Sequence, residues 1–327
     1  MLLDWEDNTG RSLRGGPWNI SDWRILVNTE DRKAGARLTR REFLGKAGKM
    51  GGAIVLSGAA ARALAGEWEQ GMQEYWTDGA FRQETVDASR EAEGIVRARL
   101  DGSWKEFGTL ELPAGFMEWN LAARLDTLAN IGMMFSGQGG TPPSLAGPHN
   151  AAMATWGGRR ADSDMEINNA FKGMGLCPRR EIIRDLIAAM QQGMADGMGM
   201  MERVQLLVDL YSDAGNFDLT KMISLELYST PEFETHTFIN LMERPTASLV
   251  FLDSMSYEVR GIGQLVAPGD SSSGEYAQDI TTYTNLAHSF FHGDFPRLFP
   301  GILLHVTSVY DNTPGTGRGV RIAPPLV

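Results

Sequence analysis

A chain of 327 residues with 43% apolar residues has the material for one large domain or two ordinary ones, and it can bury a core. Its net charge of −11 argues against nucleic acid, whose recognition needs a basic stripe that this sequence lacks. One cysteine, Cys177, excludes an intramolecular disulfide and a cysteine-based zinc site, and with no catalytic signature beside it reads as an inert small hydrophobe.

In chain order, the first signal is an address. TRREFLGK at 39–46 carries Arg40 and Arg41 and is followed by a short apolar stretch over 51–61 and the small-residue site Ala63-Leu64-Ala65. That order matches the twin-arginine export pattern and predicts a presequence over 1–65 and a periplasmic protein, with the leader removed or kept as a membrane anchor. The segment to Ala65 holds 11 Lys plus Arg against 7 Asp plus Glu, leaving 19 against 34 for an acidic remainder. Because this route carries proteins already folded, it favours a cofactor-bearing passenger or the partner of one.

Residues 66–178 read as a helical and loop-rich extension. The acidic run over 67–100 suggests helices, 118–134 has helical spacing, and the Gly, Pro and Ser-rich stretch over 136–164, which contains His149, reads as a long loop. Pro178 is then expected to open a helix with Ile182, Ile183, Leu186 and Ile187 on its apolar stripe. Met190, Met194, Met198 and Met201 continue the stripe, and core packing competes there with Cu(I) binding by thioether sulfur.

From residue 204 the period shortens. VQLLVDLYS and DLTKMISLELYS read as two strands across a turn at 213–216. ETHTFINLMERP is a short helix capped by Thr235 or Thr237, with Phe238 and Leu241 inward and Pro245 ending it. TASLVFLD and SYEVRGIGQLVAP form a strand pair around Ser254-Met255, EYAQDITTYTNLAHSFFH a helix, and GILLHVTSVYDN a last strand. The prediction is an α+β protein: an antiparallel barrel over 179–312, the mainly helical extension before it, and an extended tail over 313–327.

HTFINLMERPTASLVF, RGIGQLV and HGDFPRLF occur in the order found in one family, and over roughly 180–312 the chain resembles the FMN-binding split β-barrel of the pyridoxamine-phosphate-oxidase-like superfamily, in its haem-utilisation branch. The resemblance implies FMN or haem, a second subunit closing the pocket, and a phosphate near the start of the His236 helix. The candidates it marks are Lys221, Thr235, His236, Thr237, Asn240 and Arg260. A helix start with free N–H groups and nearby cations suits an anion. The strand KMISLELYS lacks the Arg that oxidase members pair with a Lys, and Glu226 and Glu232 add negative charge, so a capped structural helix competes with a cofactor site.

His288 and His292 are four apart on one helical face, with His305 further on, and no third metal ligand follows from their spacing. The aromatic run around Phe290, Phe291, Phe295 and Phe299 reads as core or as a partner surface. No serine-histidine-acid order, phosphate loop or paired-carboxylate signature is present. Catalysis is thus left open between a flavin- or haem-binding redox protein of the periplasm, a cofactor-free accessory subunit docked on a membrane-bound electron-transfer complex, and a methionine-rich copper binder. The partner expected is a second copy or that membrane complex.

Overall fold

The computed structural model describes residues 75–325 except 142, 159–162, 164, 294 and 296. The presequence expected over 1–65, with its arginine pair and cleavage site, lies outside the described residues.

Where the acidic run suggested helices, the described residues from Tyr75 onward form strands: β1 (Trp76–Thr77), β2 (Ala80–Phe81), β3 (Val86–Asp87), β4 (Ile95–Leu100) and β5 (Ser103–Gly108). The reason is local. Ile95–Leu100 reads IVRARL, with Val96, Ala98 and Leu100 buried and Arg99 exposed, a period of two that acidic composition masks. Asp101-Gly102 then turns the chain with φ of 52° and 78°, the left-handed pair that a two-residue hairpin requires.

Helix α1 (Ala114–Phe135) covers the helical spacing expected there. The long loop expected after it is interrupted by β6 (Asn150–Trp156), followed by β7 (Ile167–Gly173) and β8 (Gly175–Pro178). Pro178 ends a strand instead of opening a helix, and helix α2 (Ile183–Ala195) begins five residues later. The stretch read as a strand at 204–212 is helix α3 (Met200–Tyr211). Its start is fixed by Glu202, whose carboxylate accepts the Gly199 N–H at 2.7 Å, and Val204, Leu207, Leu210 and Tyr211 bury one helical face.

The final third follows the expected order: β9 (Phe217–Leu225), α4 (His236–Glu243), β10 (Thr246–Leu252), β11 (Ser256–Val266), α5 (Glu275–His292) and β12 (Gly301–Asp311). The tail is not free, because β13 (Val320–Ala323) pairs with the end of β12.

One eight-stranded antiparallel sheet runs in the order β7-β6-β10-β11-β12-β9-β8, with β13 also on β12. Its two ends are halves of one extended segment, since β7 and β8 are separated only by Met174. The first half pairs with β6 and the second with β9, which curls the sheet into a half-barrel of split β-barrel type. The sheet takes in Asn150–Trp156, upstream of the barrel boundary expected at 179.

The concave face holds the core. Gly263 leaves room for Leu241 of α4, and Phe116 of α1 sits edge-on to Phe251 and Tyr257 at ring distances of 5.6 and 5.3 Å. On the convex face, α5 lies against Gly301 through Thr281, and the β3-β4-β5 sheet packs Val96, Ala98 and Leu100 on Ile262. Trp76 stacks on Phe238 of α4 at 5.5 Å, so the first hairpin closes over the short helix.

Candidate functional site

Helix α4 brings four of the expected residues together. Thr235 is its N-cap, accepting the Phe238 N–H at 3.1 Å, while the Ser229 hydroxyl bonds Thr235 from both sides, donating to its hydroxyl and accepting its N–H. His236 begins the helix and is half-buried. The buried Thr237 hydroxyl accepts from Asn168 of β7 at 2.9 Å. Asn240, fully buried, accepts the Gly158 N–H at 2.7 Å and donates to the Thr155 hydroxyl at 3.1 Å. Gly158 must be glycine for this approach, since a Cβ there would run into Ile239 and Asn240.

Glu226 stands beside this helix start, fully buried at the end of β9. One oxygen accepts from the Lys172 ammonium at 2.6 Å, and the other accepts the N–H groups of Tyr228 and Ser229 at 3.2 and 3.3 Å. A cation and two converging amides form an anion cradle, and the chain's own carboxylate fills it. The negative charge noted in the sequence is therefore a paired component of the site. Arg297 ties the same loop by donating to the carbonyls of Leu227 and Ser229.

Lys221 and Arg260 do not join this cluster. Lys221 is opposite His305, which is opposite Ile262, whereas the next residue, Gly263, faces α4. Since side chains alternate along a strand, Lys221 lies on the convex face. There it pairs with Asp218 at 2.8 Å and Glu91 at 3.5 Å. Burial lowers its pKa, but Asp218 and Glu91 outweigh that and hold the ammonium above its ordinary value. The neighbouring His305 donates or accepts through Nε2 with Gln264 at 3.0 Å, and burial pushes its pKa down to about 3. Arg260 pairs with Glu258 at 2.6 Å and lies over Tyr310 on the exposed outer surface.

A second buried charge escaped the sequence reading. Arg124 of α1 is 3% exposed and donates to Asn120, to the carbonyls of Pro148 and Met174, each at 2.8 Å, and to His149 Nδ1 at 3.3 Å. Its guanidinium also lies over Tyr211 of α3. Met174 is where the chain passes from β7 to β8, so Arg124 satisfies a carbonyl at the crossing that curls the sheet. His149, placed by its sequence in a long loop, is held to a pKa of about 3 by burial and then by the Arg124 charge.

Cys177 is fully buried, and burial raises its thiol pKa well above the ordinary range, which removes it as a nucleophile. Met190 is fully buried, Met194 and Met198 pack against the core, and Met201 is exposed. An open polar cleft of about 510 Å³ lies beyond the C-terminal end of α4, lined by Tyr75, Arg82, Glu84, Arg99, Asp101 and Glu243 among others. Among the described residues, no helix is long and apolar enough to cross a membrane.

The outer face of the β7-β6-β10 strands is apolar. Ile167, Phe171, Trp156 and Leu252 are 60, 57, 43 and 64% exposed, and Val250 stands with them. Ala152 is opposite both Phe171 and Val250, so two ridges flank a shallow row of small side chains. The three strands themselves direct no charged side chain outward, but exposed Asn169 stands between Ile167 and Phe171, and the Arg244 guanidinium lies over Trp156 at 4.0 Å.

No protein-family model matches the chain, and no curated protein matches it. Among solved structures, the chain is similar to the crystal structure of Group A Streptococcus HupZ, at 13% identity and a TM-score of 0.29, over 52% of this chain and 89% of that one. The split-barrel assignment rests on the strand pairing of this chain and not on that likeness.

Proposed function

We propose that this chain is an accessory subunit of split-barrel type, exported in the manner its arginine pair predicts, that acts by association instead of by catalysis at α4. The observation that carries the reading is the filled cradle: Glu226 sits where Lys172 and the Tyr228 and Ser229 amides would hold an anionic group. Thr235, Thr237 and Asn240 are likewise spent on the cap, on β7 and on Gly158. A carboxylate already paired there opposes a phosphate, because two anions would share one ammonium.

The working surface in this reading is the outer β7-β6-β10 face, and its occupant is a second copy of the chain. Strands that direct no charged side chain outward let two molecules of an acidic protein meet without opposing carboxylates there, and the ridges of one copy would face the alanine row of the other.

The deciding experiment combines sedimentation with an absorption spectrum of the protein purified from its own membranes. A colourless dimer that becomes monomeric on Phe171→Glu, with the melting temperature retained, is the expected result. A flavin or haem band near one per chain, lost on Asn240→Ala, overturns the accessory reading and makes α4 a cofactor site. A membrane partner that stays bound to a chain monomeric in itself replaces the second copy as occupant.

A further inference from the structure

His288 and His292 occupy the last turn of α5 with ring centroids 4.6 Å apart. Helical spacing puts both on one face, and the tertiary structure fixes the first of them: Phe295 stacks on His288 at 4.8 Å and Phe299 meets it edge-on at 6.0 Å. Neither imidazole makes a hydrogen bond to a described residue, so their ring nitrogens remain available. The pair also lies at the negative end of the helix dipole, where positive charge is favoured.

We propose that His288 and His292 form a two-imidazole chelate for a late first-row divalent cation, Cu2+ most tightly and Zn2+ less so. Two histidines at i and i+4 on one helical face are a recurrent arrangement for holding such an ion, and imidazole affinity across this series peaks at copper. Among the described residues no third His, Cys, Asp or Glu side chain joins the pair in a metal-binding group. The aromatic clamp matters because a side chain already held in place loses less rotamer freedom on binding. This site is independent of α4 and of the apolar sheet face.

The test is titration of the untagged, metal-free full chain with CuCl2, followed by calorimetry and by electron paramagnetic resonance at one equivalent. The expected result is one site with a two-nitrogen signature. Either His292→Ala or His288→Gln should weaken it by roughly 10²-fold, because each turns a chelate into a single ligand. His292 is exposed, so its replacement leaves the fold intact and a melting curve confirms this. Copper binding as tight in His292→Ala as in the parent overturns the proposal, as does a parent titration indistinguishable from that of a chain carrying both His288→Gln and His292→Ala.

Discussion

Two buried charges in this molecule are handled in opposite ways. Glu226 is neutralised by a side chain on another strand, Lys172, and finished by two amides of its own turn. Arg124 meets no carboxylate among the described residues, and its charge is spread over two carbonyls, an asparagine oxygen, a histidine nitrogen and an aromatic face. The first arrangement closes an anion site. The second holds a strand crossing, where carbonyls that leave the ladder need a donor that can reach several of them, which the guanidinium fork can.

Removing one member of the ion pair should cost the most. Glu226→Ala leaves the Lys172 ammonium buried and unpaired, a loss of about 3–5 kcal/mol in urea unfolding, whereas the double replacement Lys172→Met with Glu226→Leu should recover most of it. A single variant as stable as the parent would mean that the pair is solvated and the cradle is not closed. Arg124→Met comes next, at roughly 2–4 kcal/mol, since it strands the Pro148 and Met174 carbonyls. Hydrogen exchange should report the loss first at β7 and β8; a uniform change across the sheet would refute the clasp.

Two histidines, His149 beside Arg124 and His305 beside Lys221, make stability depend on pH. His149 and His305 have folded pKa values of about 3, below the unfolded value of 6.5, so the unfolded chain binds more protons between these limits. Stability should therefore fall as pH drops from 6.5 toward 3, by up to about 1.4 kcal/mol per unit for each histidine. His149→Gln should flatten that slope by one proton, and an unchanged slope would place His149 in contact with water. The smallest effect is expected at the cap, where Thr235→Ala should cost about 1 kcal/mol in thermal unfolding without altering the sedimentation behaviour.

The α4 cap was legible in the sequence because its signals are local: Thr235 or Thr237 at the start, Phe238 and Leu241 inward, Pro245 at the end, with the structure selecting Thr235. The same holds for β9 to β12, whose alternation and turn residues lie within each run. The hairpin at Asp101-Gly102 was equally local but was hidden by the acidic composition around it. Helix α3 was misread because VQLLVDLY fits a buried strand as well as a helix, and what decides is Glu202 reaching back to Gly199.

The sequence by itself determined the acidic character, the order of elements in the last third and the capped helix, because composition, periodicity and capping act over a few residues. Only the tertiary structure decided that Lys221 faces away from α4, that Glu226 meets Lys172 across 54 positions, and that Arg124 holds a carbonyl 50 positions away. Those outcomes depend on strand register and on which segment closes the sheet. A shift of one residue in register sends a side chain to the other face, and no local pattern around Lys221 records which face that is.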